Sequence, residues 1–201
     1  MNSKTLPLFT DIIYLTDLSK HSSTNEYFYN KVKKIEEKNR DKKSQTWRCD
    51  TFSTQNFYNL GEDENFKIIL TDIKESIVKF AREFGVNDCE PITLASWINL
   101  APPGEYQEYH IHNASHFSIV YYVKTPKNSG NLVFKSHRAD KNMYPLPVES
   151  YTMASSLTYT LEPVENRLII FRSDLLHMVE KNKSDEDRVS ISCNFHLQPK
   201  S

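Results

Sequence analysis

The sequence predicts a mainly β fold of the α+β class: a sandwich or barrel with N-terminal helices packed on one of its sheets. Three observations carry this. Two amphipathic helical stretches lie before residue 85, a run of short β-like segments follows from residue 90, and turn signals separate those segments at Pro102-Pro103-Gly104, Pro126–Gly130 and Pro145–Pro147. Closely spaced strands after two helices have few ways to bury their apolar faces, and stacking two sheets with helices on one of them is the commonest. At 201 residues the chain suits one domain, and 11 Phe and 11 Tyr against 4 Gly can fill a sizeable core. Residues 1–88 read as an N-terminal strand and helical support, and 89–198 as the β core.

Residues 8–18 are β-branched and aromatic and predict an early strand. Ser23 and Glu26 form a capping-box pattern. Phe28, Val32 and Ile35 then recur at helical spacing, so a helix is expected over 24–39. The basic run Lys31–Lys43 is interrupted by Glu36, Glu37 and Asp41, as on a solvated helix face. Residues 40–60 are polar, with a short strand expected near Trp47–Phe52. The clearest helix is 64–84: Phe66, Ile69, Leu70, Ile73, Ile77, Phe80 and Phe84 share one stripe, and Gly85 supplies the stop. Strands are expected at 92–100, 105–112, 116–124, 130–135, 156–161, 167–172 and 188–197. The long polar segment 136–155, with Arg138, Met143, Tyr144 and Tyr151, is the candidate lid.

Composition excludes several functions. Net charge is −1, which gives no electrostatic case for nucleic acid or an anionic membrane. No stretch approaches the length of an apolar membrane span. Met-Asn-Ser-Lys-Thr-Leu-Pro opens the chain without a signal-peptide core before Asp11. Cys49, Cys89 and Cys193 are odd in number and far apart, which argues against a disulfide framework and for a reducing compartment. A cytoplasmic location is expected. Small molecules or peptides are the expected partners, and the sequence leaves the oligomeric state open.

Histidine carries the chemistry. Three of seven, His110, His112 and His116, fall within seven positions. In a strand His110 and His112 project to the same side, about 7 Å apart, close enough to converge on one metal ion. An isolated H-x-H is common by chance, but His177 follows the apolar run Leu168–Phe171 after a short turn, where a neighbouring strand could add a third ligand. His116 competes as a ligand, although Asn113-Ala114-Ser115 should turn the chain first. His137 and His196 read as non-ligands. In 188–195, Val189, Ile191, Cys193 and Phe195 alternate with Arg188, Ser190, Ser192 and Asn194. A polar second face is what a solvent-exposed strand shows. It is also what a carboxylate site requires, with a guanidinium clamp beside a hydroxyl donor.

H-x-His, some sixty residues, then His177, then about ten residues to Arg188-x-Ser190 resembles the Fe(II)/2-oxoglutarate-dependent oxygenases. Tyr109-His-Ile-His-Asn-Ala-Ser-His-Phe-Ser-Ile-Val-Tyr-Tyr-Val, Gly130-Asn-Leu-Val-Phe and Glu162-Pro-Val-Glu-Asn-Arg-Leu-Ile-Ile-Phe are similar to the motifs of the small prolyl-hydroxylase-like members from bacteria and phages. The similarity covers about residues 90–197. Asn113, Ile119 and Asn166 stand where that pattern has Pro, Gly and Gly. His112 stands where most of the superfamily has Asp or Glu. That keeps the ligand geometry but raises the net charge of the site by one.

The resemblance implies a double-stranded β-helix (a jelly-roll or cupin-like barrel) and a dioxygenase that hydroxylates a substrate, peptidyl proline among the candidates, while 2-oxoglutarate becomes succinate and CO₂. It implies iron on His110, His112 and His177, with O₂ as co-substrate and ascorbate as an optional reductant. Arg188 and Ser190 would hold the distal carboxylate of 2-oxoglutarate, with Asn99, Tyr106 and Tyr121 or Tyr122 as further donors. Three histidines equally suit zinc. A non-oxygenase metal-binding barrel is therefore the alternative, and a ligand-binding sandwich with incidental histidines a third reading. Only the oxygenase requires Arg188 and Ser190 beside the metal.

Overall fold

The computed structural model describes residues 3–7, 10–39, 48–137 and 147–200. Strand β1 (Ile13–Asp17) and a 3₁₀ turn (Ser19–Thr24) lead into α1 (Asn25–Asn39). Strand β2 (Phe52–Ser53) and a second 3₁₀ turn (Leu60–Glu62) precede α2 (Glu64–Ala81). Eight strands follow: β3 (Cys89–Ala101), β4 (Gln107–His110), β5 (Phe117–Lys124), β6 (Leu132–Lys135), β7 (Thr158–Leu161), β8 (Arg167–Arg172), β9 (His177–Val179) and β10 (Arg188–Pro199). No helix among the described residues is long and apolar enough to cross a membrane.

Helix α2 forms where the apolar stripe predicts it. Asp63 caps it, its carboxylate accepting from the Asn65 and Phe66 amides at 2.9 and 3.3 Å. Phe66, Ile69, Ile73, Ile77 and Phe80 are fully or almost fully buried, each contributing about 1.5–3 kcal/mol relative to exposure. The α-helix ends three residues before the expected Phe84, because 82–84 tighten into a 3₁₀ turn. Gly85 then takes a left-handed φ of +78° and stops it. Helix α1 enters differently from expectation: the 3₁₀ turn runs straight into it, and Thr24, not Ser23, makes the local side-chain bond, to the His21 carbonyl at 2.7 Å. Phe28 and Val32 are its buried face.

Two antiparallel sheets form the double-stranded β-helix. The larger has strand order β1-β8-β5-β10-β3-β2, and the smaller β4-β9-β6-β7. Side chains alternate across the larger sheet. Val189, Ile191, Cys193 and Phe195 of β10, with Leu168 and Ile170 of β8, pack against the buried faces of α1 and α2. Ile169 and Phe171 of β8 turn the other way, toward Leu132 and Phe134 of the smaller sheet. The helices therefore cover one face of one sheet, and the second sheet covers the other.

Several boundaries differ from the sequence expectation. The early strand begins only at Ile13, and the strand expected near Trp47–Phe52 is β2, with Trp47 outside the described residues. Residues 177–179, which follow the expected short turn but lie outside the expected strand bounds, form β9, which pairs with both β4 and β6. Asn166 holds φ +67° in the turn before β8, the left-handed geometry its side chain tolerates in place of Gly. All three cysteines are free and buried.

Candidate active site

Between the sheets lies a cavity of about 320 Å³. Its floor is the polar face of β10, and register pairing arranges that face in rows. Asn99, Ser190 and Tyr122 lie side by side on β3, β10 and β5; Trp97, Ser192 and Val120 form the next row. All six line the cavity, with Arg188 at one end of the β10 series and Asn194 at the other. The polar face that could have met solvent is thus enclosed: Arg188, Ser190 and Ser192 are all buried.

His110, His112 and His177 project into this cavity, and their ligand-capable nitrogens lie within 4.8 Å of one another. His110 closes β4 and pairs in register with His177, which opens β9. Nδ1 of His110 is 2.7 Å from the Glu108 carbonyl, and Nδ1 of His177 is 2.8 Å from the Leu175 carbonyl. A carbonyl only accepts, so both rings carry hydrogen on Nδ1 and a lone pair on Nε2, the tautomer a metal-binding imidazole needs. His112 lies just beyond β4, anchored by its backbone amide to the Ser173 carbonyl at 2.9 Å, with its ring 5.8 Å from that of Trp97. Burial, reinforced by His110, lowers the pKa of His112 to about 4 and that of His177 to about 3. Burial lowers that of His110 as well. Near neutral pH all three are uncharged donors, and the set suits a divalent first-row metal.

Arg188 is 5% exposed, and among the described residues no carboxylate pairs with it. Its Nη1 instead donates to the carbonyls of Ser129, Gly130 and Glu180 at 2.8, 3.4 and 3.5 Å. A guanidinium stays protonated in proteins, so this is a buried cation satisfied on one side by neutral dipoles. Gly130 makes the cradle possible. Its φ is +90°, and a Cβ there would sit 2.2 Å from the Glu180 carbonyl oxygen. Burial raises Tyr122 to about 12, partly opposed by Arg188, so its phenol remains a hydrogen donor.

The model of the family described as "Putative 2OG-Fe(II) oxygenase" matches residues 95–194, the stretch that carries the three histidines, Arg188 and Ser190. The chain belongs to the 2OG-Fe(II) oxygenase family. No curated protein sequence matches it significantly. Among solved structures it is similar to a Pseudomonas putida prolyl-4-hydroxylase, at 15% identity over 93% of each chain and TM-score 0.63. It is similar to HygX from Streptomyces hygroscopicus, solved with nickel and 2-oxoglutarate bound, at 10% identity over 93% of this chain and 83% of that one, TM-score 0.63. The viral collagen prolyl hydroxylase of Paramecium Bursaria Chlorella virus-1, in its 2-oxoglutarate complex, is 15% identical over 91% and 94%, TM-score 0.52. At these identities the likeness is one of fold.

Within this 2OG-Fe(II) oxygenase the predicted site residues divide. Asn99, His110, His112, His177, Arg188 and Ser190 share the cavity. Tyr121 does not: it lies on the helix side of β5, where its hydroxyl bonds the side chains of Asn25 and Asn166 at 3.0 and 3.2 Å. The period of two gives the cavity to Tyr122 instead. Tyr106 is not on the wall either; its carbonyl accepts from Thr51 Oγ1 at 2.9 Å. His116 stacks on His196 at 4.2 Å and accepts the Leu197 amide at 2.9 Å, apart from the triad. Ala114, at φ +61°, turns the chain between His112 and His116.

Much of the candidate lid 136–155 lies outside the described residues. Arg138, Met143 and Tyr144 lie outside the described residues, and Tyr151, 77% exposed, does not line the cavity. Among the described residues, part of the wall comes from residues 49–57, including Cys49, Thr51, Phe52 and Phe57, with the two phenylalanine rings stacked at 5.7 Å. This strap is tied to the segment entering β4: Glu108 and Glu105 carboxylates accept the Arg48 and Asp50 amides at 2.8 and 2.6 Å. The sequence signal for it was scattered aromatics in a polar stretch, which carries no periodicity.

Proposed function

We propose that the chain is an Fe(II)/2-oxoglutarate-dependent hydroxylase that holds iron on His110, His112 and His177 and the distal carboxylate of 2-oxoglutarate on Arg188. The observation that carries this is the buried guanidinium, with no acidic partner among the described residues, in the same cavity as three converging imidazoles. A buried cation in that state is costly by itself and is completed by an incoming carboxylate through charge-assisted bonds. Ser190 and Tyr122, neighbours in register, add hydroxyl donors, with Asn99 beside them. When bound, iron and 2-oxoglutarate would activate O₂, one oxygen atom entering the hydroxylated substrate and the other entering succinate as 2-oxoglutarate loses CO₂. The protein holds the cofactors in register, lines the carboxylate end with Leu132 and Val179, and admits substrate past Trp97, Phe52 and Phe57. Peptidyl proline is the first substrate to test, since two of the similar folds are prolyl hydroxylases; small molecules are the second class.

Three neutral histidines also suit zinc, but a zinc site has no use for Arg188. Anaerobic titration with Fe(II) and 2-oxoglutarate separates the readings. The expected result is a weak visible charge-transfer band that requires both components. Absence of the band in the wild type, or unchanged 2-oxoglutarate affinity in Arg188→Ala, overturns the oxygenase reading.

A further inference from the structure

Ser173 follows β8 directly and is completely buried beside apolar Phe171 and Leu175. Alanine would fill that space without a hydroxyl to satisfy, so the hydroxyl needs a reason. Its backbone holds the turn after β4 from both ends: the Ser173 carbonyl accepts the His112 amide at 2.9 Å, and the Ser173 amide donates to the His116 carbonyl at 3.1 Å. Its hydroxyl lies 2.9 Å from Ser115 Oγ and 2.8 Å from Ser118 Oγ, and Ser118 Oγ is 2.9 Å from Asn194 Oδ1.

Proton counting gives this chain a direction. An amide oxygen only accepts, so the single Ser118 hydrogen goes to Asn194. Ser173 must then donate to Ser118, and Ser115 to Ser173. Every hydroxyl is used once as donor, and the chain ends on a residue of the cavity wall. Ser115 Oγ also approaches the His112 carbonyl at 3.5 Å. His110 and His177 are oriented by carbonyls through their own ring nitrogens; His112 is held through its backbone.

We propose that Ser173 is the positioning residue for His112, fixing through its hydroxyl chain the turn that presents this imidazole to the metal. The inference rests on reading His112 as a ligand. Removing the hydroxyl leaves all three imidazoles in place but loosens the one that is not held through its ring.

The test is Co(II) affinity, measured by competition with a chromogenic chelator, together with the Co(II) absorption spectrum, in wild type, Ser173→Ala, His112→Ala and the double variant. Ser173→Ala is expected to weaken binding about tenfold, as loss of a group orienting a ligand does, and to shift the spectrum toward that of His112→Ala. The double variant is expected to bind no more weakly than His112→Ala alone. Unchanged affinity in Ser173→Ala while His112→Ala is weakened overturns the proposal. So does an equal further loss in the double variant, which would place the effect in the fold. Unchanged affinity in His112→Ala overturns the ligand reading itself, and this proposal with it. If Ser173→Ala does not fold, Ser118→Ala breaks the same chain one link further on, with a severalfold loss expected that disappears in the His112→Ala background.

Discussion

His110 and His177 face each other across β4 and β9 as register partners, their rings 4.2 Å apart, and each donates Nδ1–H to the carbonyl two residues before it. The shared geometry fixes both Nε2 lone pairs toward one point before any metal arrives. His112 differs from this pair in being anchored through its backbone amide, to the Ser173 carbonyl at 2.9 Å.

Replacing His112 therefore discriminates between donor types. His112→Asp is expected to retain one iron per chain, since a carboxylate is a competent third donor. It also lowers the site's charge by one, so 2-oxoglutarate should bind more weakly. His177→Ala is expected to lose about 100-fold or more in metal affinity, the upper end of what is lost when only an orienting group is removed. Metal content after desalting, with 2-oxoglutarate titrated separately, checks both.

Arg188→Met keeps much of the side chain's bulk and removes its charge. Losing one partner of a buried charge pair costs about 2–5 kcal/mol, so the KM for 2-oxoglutarate should rise by roughly 30-fold to several thousandfold. Metal affinity should change little, because Arg188 touches carbonyls and not the triad. Equal loss of metal and 2-oxoglutarate affinity would show a collapsed cavity instead.

Acid should destabilise the metal-free protein through the same histidines. The folded pKa values of His112 and His177 lie at about 4 and 3, below the ordinary histidine value. The folded state thus binds fewer protons than the unfolded chain. The stability they contribute is complete above about pH 6.5 and is lost progressively as pH falls toward 4 and 3. At pH 5 the loss is on the order of 1–2 kcal/mol per group. Melting curves at pH 7.5 and 5 should show a smaller drop for His177→Phe, whose ring suits the surroundings of Phe134 and Phe171. An equal drop in that variant would refute the assignment.

Gly130→Ala should damage the carboxylate end without touching its side chains. The added methyl meets the Glu180 carbonyl at 2.2 Å with the backbone already at φ +90°. A loss of about 1–3 kcal/mol is expected, together with weaker 2-oxoglutarate binding as the Arg188 cradle opens. Chemical denaturation and cosubstrate titration read the two effects separately.

What could be read from the sequence was what the chain does over a few residues. The α2 stripe and its Gly85 stop, the alternation in β10 and the Asn166 turn are local consequences of periods of 3.6 and 2 and of backbone sterics. The site motifs were legible through their resemblance to a family, since His112 lies beyond the strand that carries His110 and strand spacing alone does not join them to His177. The alternation in 188–195 separated Arg188, Ser190, Ser192 and Asn194 from their apolar neighbours, but gave that polar face equally to solvent and to a site. The second sheet decided it by covering that face, while α1 and α2 covered the other. Tyr121 and Tyr122 are exchangeable until the register of β5 against β10 places Tyr122 beside Ser190. The 49–57 wall and the Ser115–Ser173–Ser118–Asn194 chain join residues from separate strands and loops. Long-range contacts of that kind exist only after the sheets have stacked, because hydrophobic burial chooses which face is inside and the sequence pattern says only that there are two.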